Sequence, residues 1–138
     1  MDPSGTELGL AVFGVSSYTS RSYNAAGELD VCATAAAMRH CALFVAHDTK
    51  TMHIASTAGI PCVGIYSSRQ WRGLWEPYTA TKRILRSEIE CEACGLTECI
   101  ERDRECLRRI MPHMAVEACT EFLEPERKRI QSRSQPQG

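Results

Sequence analysis

Two short apolar runs bracket one helical stretch between residues 41 and 66, and this alternation constrains the fold more than any other feature of the chain. CALFVA (41–46) and PCVGIY (61–66) are continuous apolar runs of strand length, the pattern of strands covered on both faces of a parallel sheet. Between them TMHIASTA (51–58) reads as a short helix that Asp48 or Thr49 caps. Gly59 supplies the left-handed residue at which helices often stop, and Pro61 prevents continuation. Parallel strands cannot be joined by a tight hairpin and need such a crossover. The expectation is a compact right-handed βαβ unit, and with it an α/β fold class.

The rest of the chain attaches to this unit. At 138 residues there is room for one modest domain. A short helix is expected near Glu7 to Phe13, within a glycine-broken stretch that otherwise resists a period. Asp30 caps a helix with apolar positions Val31, Ala35 and Met38, ending near His40. Lys82 to Leu85 is a third strand, and Pro112 opens a helix with Val116, Cys119 and Leu123 along one stripe. After Glu124 the sequence ERKRIQSRSQPQG lacks apolar content, so residues 124–138 are expected to form a disordered tail after a domain spanning 1–123. A formal net charge of -1 gives no reason to expect nucleic-acid binding. No apolar run approaches the roughly 20 residues of a membrane span, and no secretory signal is visible, so a cytoplasmic chain is expected.

Ligands of open parallel sheets bind beyond the carboxyl ends of the strands. Here those ends deliver His47, Asp48, Thr49 and Lys50 on one side and Ser67, Ser68 and Arg69 on the other, the latter followed by the aromatic-rich RGLWEPY (72–78). A helix starting near Lys50 aims unpaired backbone N–H groups into that crevice, where they favour phosphate. Thr49 and Thr51 add hydroxyls and Lys50 a cation. By spacing alone, Asp48 and Thr49 are ordinary helix caps and His53 is a packed or exposed histidine.

The segment FVAHDTKTMHIASTAGIPCVGIYSSRQWRGLWEPY resembles the stretch by which heptosyltransferase-like glycosyltransferases of family 9 are identified. It has an apolar strand, Asp48, Thr49, then His53 one turn later, an Ala-containing helix, Gly59, Pro61 and a second strand. The similarity runs from about Asn24 to Leu123. It implies a partial Rossmann-like domain, the C-terminal half of a GT-B fold, with Asp48, Thr49 and His53 beside the diphosphate of a nucleotide-sugar donor. Lys50 stands where the family usually has Gly, either blocking the phosphate or pairing with it. Glu7 falls where the family has an acidic residue near the nucleoside. The implied reaction moves an ADP-activated heptose, or a related sugar, to a lipopolysaccharide or other glycan acceptor, with inversion. That acceptor would be held by an N-terminal domain this chain lacks, so the isolated chain is expected to be inactive, and the cytoplasmic enzyme to work against the inner membrane.

CEACGLTECIERDREC places Cys91, Cys94, Cys99 and Cys106 within sixteen residues. The C-x2-C pair is the knuckle by which two thiolates grip a tetrahedral ion, so the loop 91–106 is expected to hold zinc or iron, or else to carry reduced thiols. The competing function is then a metal-stabilised interaction module with a vestigial donor site. Cys32, Cys41, Cys62 and Cys119 lie in apolar segments and are expected to be buried.

Overall fold

The computed structural model describes residues 11–12, 23–25 and 27–133. Two minimal strands, β1 (Ala11–Val12) and β2 (Tyr23–Asn24), pair antiparallel. Ala11 and Val12 are thus strand where a helix was expected; Glu7 and the remainder of that span lie outside the described residues. The main unit follows as α1 (Val31–Met38), β3 (Phe44–His47), α2 (Lys50–Thr57), β4 (Cys62–Ile65), β5 (Lys82–Leu85), α3 (Glu105–Arg108) and α4 (Pro112–Arg133). Strands β3, β4 and β5 form a parallel sheet in that order. This is the βαβ unit with a third strand added, a small parallel sheet consistent with a partial Rossmann-like domain.

Local chemistry sets the boundaries. Asp30 caps α1, its carboxylate accepting from the Ala33 N–H at 2.7 Å. The chain then turns, with the Cys41 N–H donating to the Met38 carbonyl, so the strand starts at Phe44 and not at Cys41. Gly59 adopts φ 77° after α2, a conformation that costs other residues about 1 kcal/mol or more. In β4 a Cβ on Gly64 would come within 2.5 Å of the Tyr66 ring, so glycine is what lets that ring lie against the strand.

Alternation along β4 builds a core on each face. Cys62 packs with Met38, Met52, Ala55 and Ile60 on the side of α1 and α2. Val63 packs with Leu85 and Ala118 on the side of α4. Burial pushes the Cys62 thiol up to about 11, and it behaves as a small apolar group. The expectation that both strands of the βαβ unit are covered on both faces fails for β3. Helix α4 lies over β4 and β5, which leaves Val45 exposed on the face that α2 does not cover.

Three further expectations are corrected. The stripe of α4 that packs on the sheet is Met114, Ala115, Ala118, Cys119 and Phe122; Cys119 lies on it as expected, whereas Val116 is exposed. Helix α4 continues to Arg133 through the span read as a tail. Residues such as Glu and Lys favour helix without burial, and Lys128 pairs with Glu124 one turn away. Cys32 is exposed rather than buried, because it sits on the outer side of the first turn of α1.

Candidate functional site

The strand register brings three connecting segments to one edge of the sheet. His47 pairs with Ile65, and Ile65 with Leu85, so all three strands end level. The turn 48–50, the loop 66–81 and the segment from Arg86 onward therefore leave from one carboxyl edge. Asp48 is close enough to Tyr66 for its charge to reinforce the effect of burial, which together hold that phenol up at about 12. The Tyr66 hydroxyl in turn donates to the Trp75 carbonyl at 3.0 Å. The turn after β3 and the aromatic loop after β4 thus face one another.

At the turn, Thr49 occupies the N-cap of α2 in extended conformation, yet neither it nor Asp48 makes a side-chain cap. The Thr49 hydroxyl is hydrogen-bonded to that of Thr51 at 2.7 Å. The Met52 N–H is satisfied by the Thr49 carbonyl, leaving the first N–H groups of α2 directed outward, as at any uncapped start. Asp48, Thr49 and Lys50 are exposed and His53 is partly buried. The four expected donor-site residues thus lie on the turn and the first turn of α2, with the side-chain cap expected of Asp48 or Thr49 absent.

The loop after β4 is pinned from beneath and displays its aromatics. Pro77 is fully buried, and Lys82 reaches both the Pro77 carbonyl and Glu76. Trp71, Leu74, Trp75 and Tyr78 are exposed, Tyr78 at 98%. Flat, exposed rings on a fixed loop are the surface on which sugar or base rings stack.

The cysteine loop belongs to the same edge. The Ala93 N–H donates to the Ser68 carbonyl and the Gly95 N–H to the Arg69 carbonyl, both at 2.8 Å, while the Ser68 hydroxyl donates to the Ser87 carbonyl at 2.6 Å. Beneath it lies a charge cluster that the sequence does not advertise. Arg86, its side chain only 6% exposed, meets Glu92 at 3.0 Å, and Glu92 also meets Arg72 at 3.2 Å. The available clue is position, since Arg86 follows directly on the last residue of β5.

Cys91, Cys94, Cys99 and Cys106 all line one cavity of about 280 Å³. All the cysteines are free thiols. Among the described residues no three His, Cys, Asp or Glu side chains are grouped so as to hold a metal ion; the thiols stand around a cavity and do not share a point. A second, more open cavity of about 690 Å³ is lined by Arg72, Arg102, Arg109 and the acidic residues around them. Neither includes residues 48–53. No described helix is long and apolar enough to cross a membrane.

Comparison with known proteins places this arrangement. The family described as glycosyltransferase family 9 (heptosyltransferase) matches residues 14–115, a span that takes in the whole sheet, the turn, the aromatic loop and the cysteine loop. No curated protein and no solved structure gives a significant match.

Proposed function

Because the chain belongs to glycosyltransferase family 9, the heptosyltransferase family, we propose that it forms the donor-binding part of a GT-B enzyme. In this proposal the donor is an ADP-activated heptose or a related nucleotide sugar, and the acceptor a lipopolysaccharide or other glycan. The observation that carries it is the level ending of β3, β4 and β5, which puts the turn 48–50 opposite the aromatic loop. A nucleotide sugar reacts by losing its diphosphate, so groups that receive negative charge there lower the barrier. The open start of α2, the hydroxyls of Thr49 and Thr51, and Lys50 are such groups. His53, one turn in, would orient the diphosphate. The proposal assigns the general base and the acceptor to a companion N-terminal domain, and transfer at the inner-membrane surface follows from the nature of that acceptor.

Titration with ADP tests this directly. Amide resonances of residues 47–53 and 66–69 should move, and unchanged spectra at millimolar ADP would remove the proposal. Asp48→Ala should weaken binding with little change in stability, because Asp48 makes no cap hydrogen bond to lose. Lys50→Gly fixes the sign of the lysine's contribution: affinity and its salt dependence both fall if Lys50 pairs with phosphate, and affinity rises if it obstructs.

A second reading is favoured by one observation, that four thiols line one cavity and the Cys91-x2-Cys94 turn ends on Gly95 at φ 68°. In it the chain is an interaction module stabilised by zinc or iron. Binding would require the thiols to leave the cavity walls and converge. On this reading reduced, folded protein contains about one zinc per chain, and Cys91→Ser releases it with a loss of thermal stability. Folded protein without stoichiometric metal excludes it.

A further inference from the structure

Eight arginines lie between Ser67 and Arg109, and their partners divide them. Arg72, Arg83, Arg86, Arg102, Arg108 and Arg109 each meet a carboxylate. Arg69 and Arg104 meet none among the described residues, and both line the 280 Å³ cavity of the cysteine loop. The only carboxylate in that wall, Glu105, is held by Arg109 at 2.5 Å. Ser67 and Thr97 also line the cavity, and their hydroxyls meet no partner among the described residues. From these unengaged donors we infer that the cavity is a phosphoryl-binding site, separate from the turn 48–53.

The backbone is bent to this end. Asp103 and Arg104 both adopt left-handed φ, at 42° and 53°, a conformation that costs a non-glycine residue about 1–2 kcal/mol. With that bend the Asp103 carboxylate meets Arg108 while Arg104 lines the cavity. On the opposite wall Arg69 is fixed through its carbonyl, which accepts from Gly95. Arg69 and Arg104 thus line one hollow from two segments, and an anion held between them would receive charge-assisted hydrogen bonds from both. Ile89, Leu96 and Leu107 complete the wall, and such apolar surroundings concentrate the field on the donors.

The chemistry selects the ligand. Planar guanidinium forks match the oxygens of a phosphoryl group, and the two hydroxyls supply further donors. A volume of about 280 Å³ lies at the lower bound of small-molecule pockets, which suits a phosphomonoester or diphosphate head with at most one sugar. That head has two sources, the diphosphate of a nucleotide and the phosphate of a phosphorylated saccharide. The site does not depend on the assignment of the turn, whose residues do not line it.

The test uses the whole chain, with inorganic pyrophosphate, ADP and glucose 6-phosphate as separate probes. Pyrophosphate should shift the resonances of Ser67, Arg69, Thr97 and Arg104, and its affinity should fall with added salt. Arg69→Gln and Arg104→Gln should each weaken it roughly tenfold or more, whereas Arg83→Gln, whose partner Glu121 lies on α4, should not. Occupancy should also slow alkylation of Cys94 in the unmutated protein, a readout independent of whether the variants fold. If ADP moves these resonances and Asp48→Ala weakens that effect, the head is the donor's. If glucose 6-phosphate moves them in Asp48→Ala protein as well as in the parent, it belongs to a saccharide. Absence of shifts with all three probes, or shifts of undiminished affinity in the two arginine variants, overturns the inference.

Discussion

Glu92→Ala should cost about 3 kcal/mol of stability, near the lower end of the range for breaking a buried ion pair. Glu92 is 29% exposed, and water moderates the loss on its side, but Arg86 at 6% exposure has no such relief. The variant leaves the Arg86 guanidinium with the Gln70 carbonyl alone, and its Nε already lacks a partner. A buried charge without its counter-ion is far costlier than the intact pair is favourable. Arg72 keeps Glu88 and contributes little to the loss. Urea unfolding measures the effect as a lowered midpoint at constant slope. The double variant Arg86→Met, Glu92→Met should recover most of the lost stability, because the charge and its counter-ion leave together. A single variant within about 0.5 kcal/mol of the parent would mean that Arg86 swings out to water, and the buried pair would no longer explain how the cysteine loop is seated. The functional consequence follows from sequence position: Glu92 lies between Cys91 and Cys94, so its loss frees the wall of the 280 Å³ cavity.

Met52→Ala should cost about 2–5 kcal/mol, the range for truncating a buried methionine. Met52 is fully buried among Met38, Ala55, Ile60 and Cys62. Helix α2 has eight residues, too few to stand alone in water, so packing of this side chain and Ala55 is what holds it against the sheet. The variant should therefore loosen the turn as well as the core. Hydrogen exchange of residues 50–57 should rise, and ADP affinity should fall with it. Met52→Leu keeps the volume and should cost less than about 1.5 kcal/mol. Equal losses in the two variants would show that shape, and not filled volume, is what this site requires.

Much of the architecture was legible because it rests on local chemistry. Asp30 caps α1 with its own carboxylate, Gly59 ends α2 with a positive φ, Pro112 opens α4, and the apolar runs at 41–46 and 61–66 lead into parallel strands. The turn 48–50 was legible as far as its residues lie together at the start of α2. Its cap was not, because the exposed Thr49 hydroxyl bonds to that of Thr51 instead, a choice that spacing does not fix. β3 starts only at Phe44 because the Cys41 N–H still closes the end of α1 on the Met38 carbonyl, and pairing with the next strand begins where the Phe44 N–H reaches the Pro61 carbonyl.

What the sequence determined by itself is the order and type of the elements from α1 to β5, the start of α4 and the family that the segment around the turn resembles, since those depend on neighbours along the chain. Tertiary structure alone decided which face of β3 is left open, which stripe of α4 is buried, and which arginines find carboxylates. Arg86 and Glu92, or Arg69 and Arg104, are ordinary charged residues in a charged stretch. Their difference arises only when β4 and β5 end level and the loops that follow are packed together, so that some carboxylates lie within reach of one guanidinium and out of reach of another. Charge pairing depends on distance through space, and sequence spacing does not encode that distance until the sheet has formed.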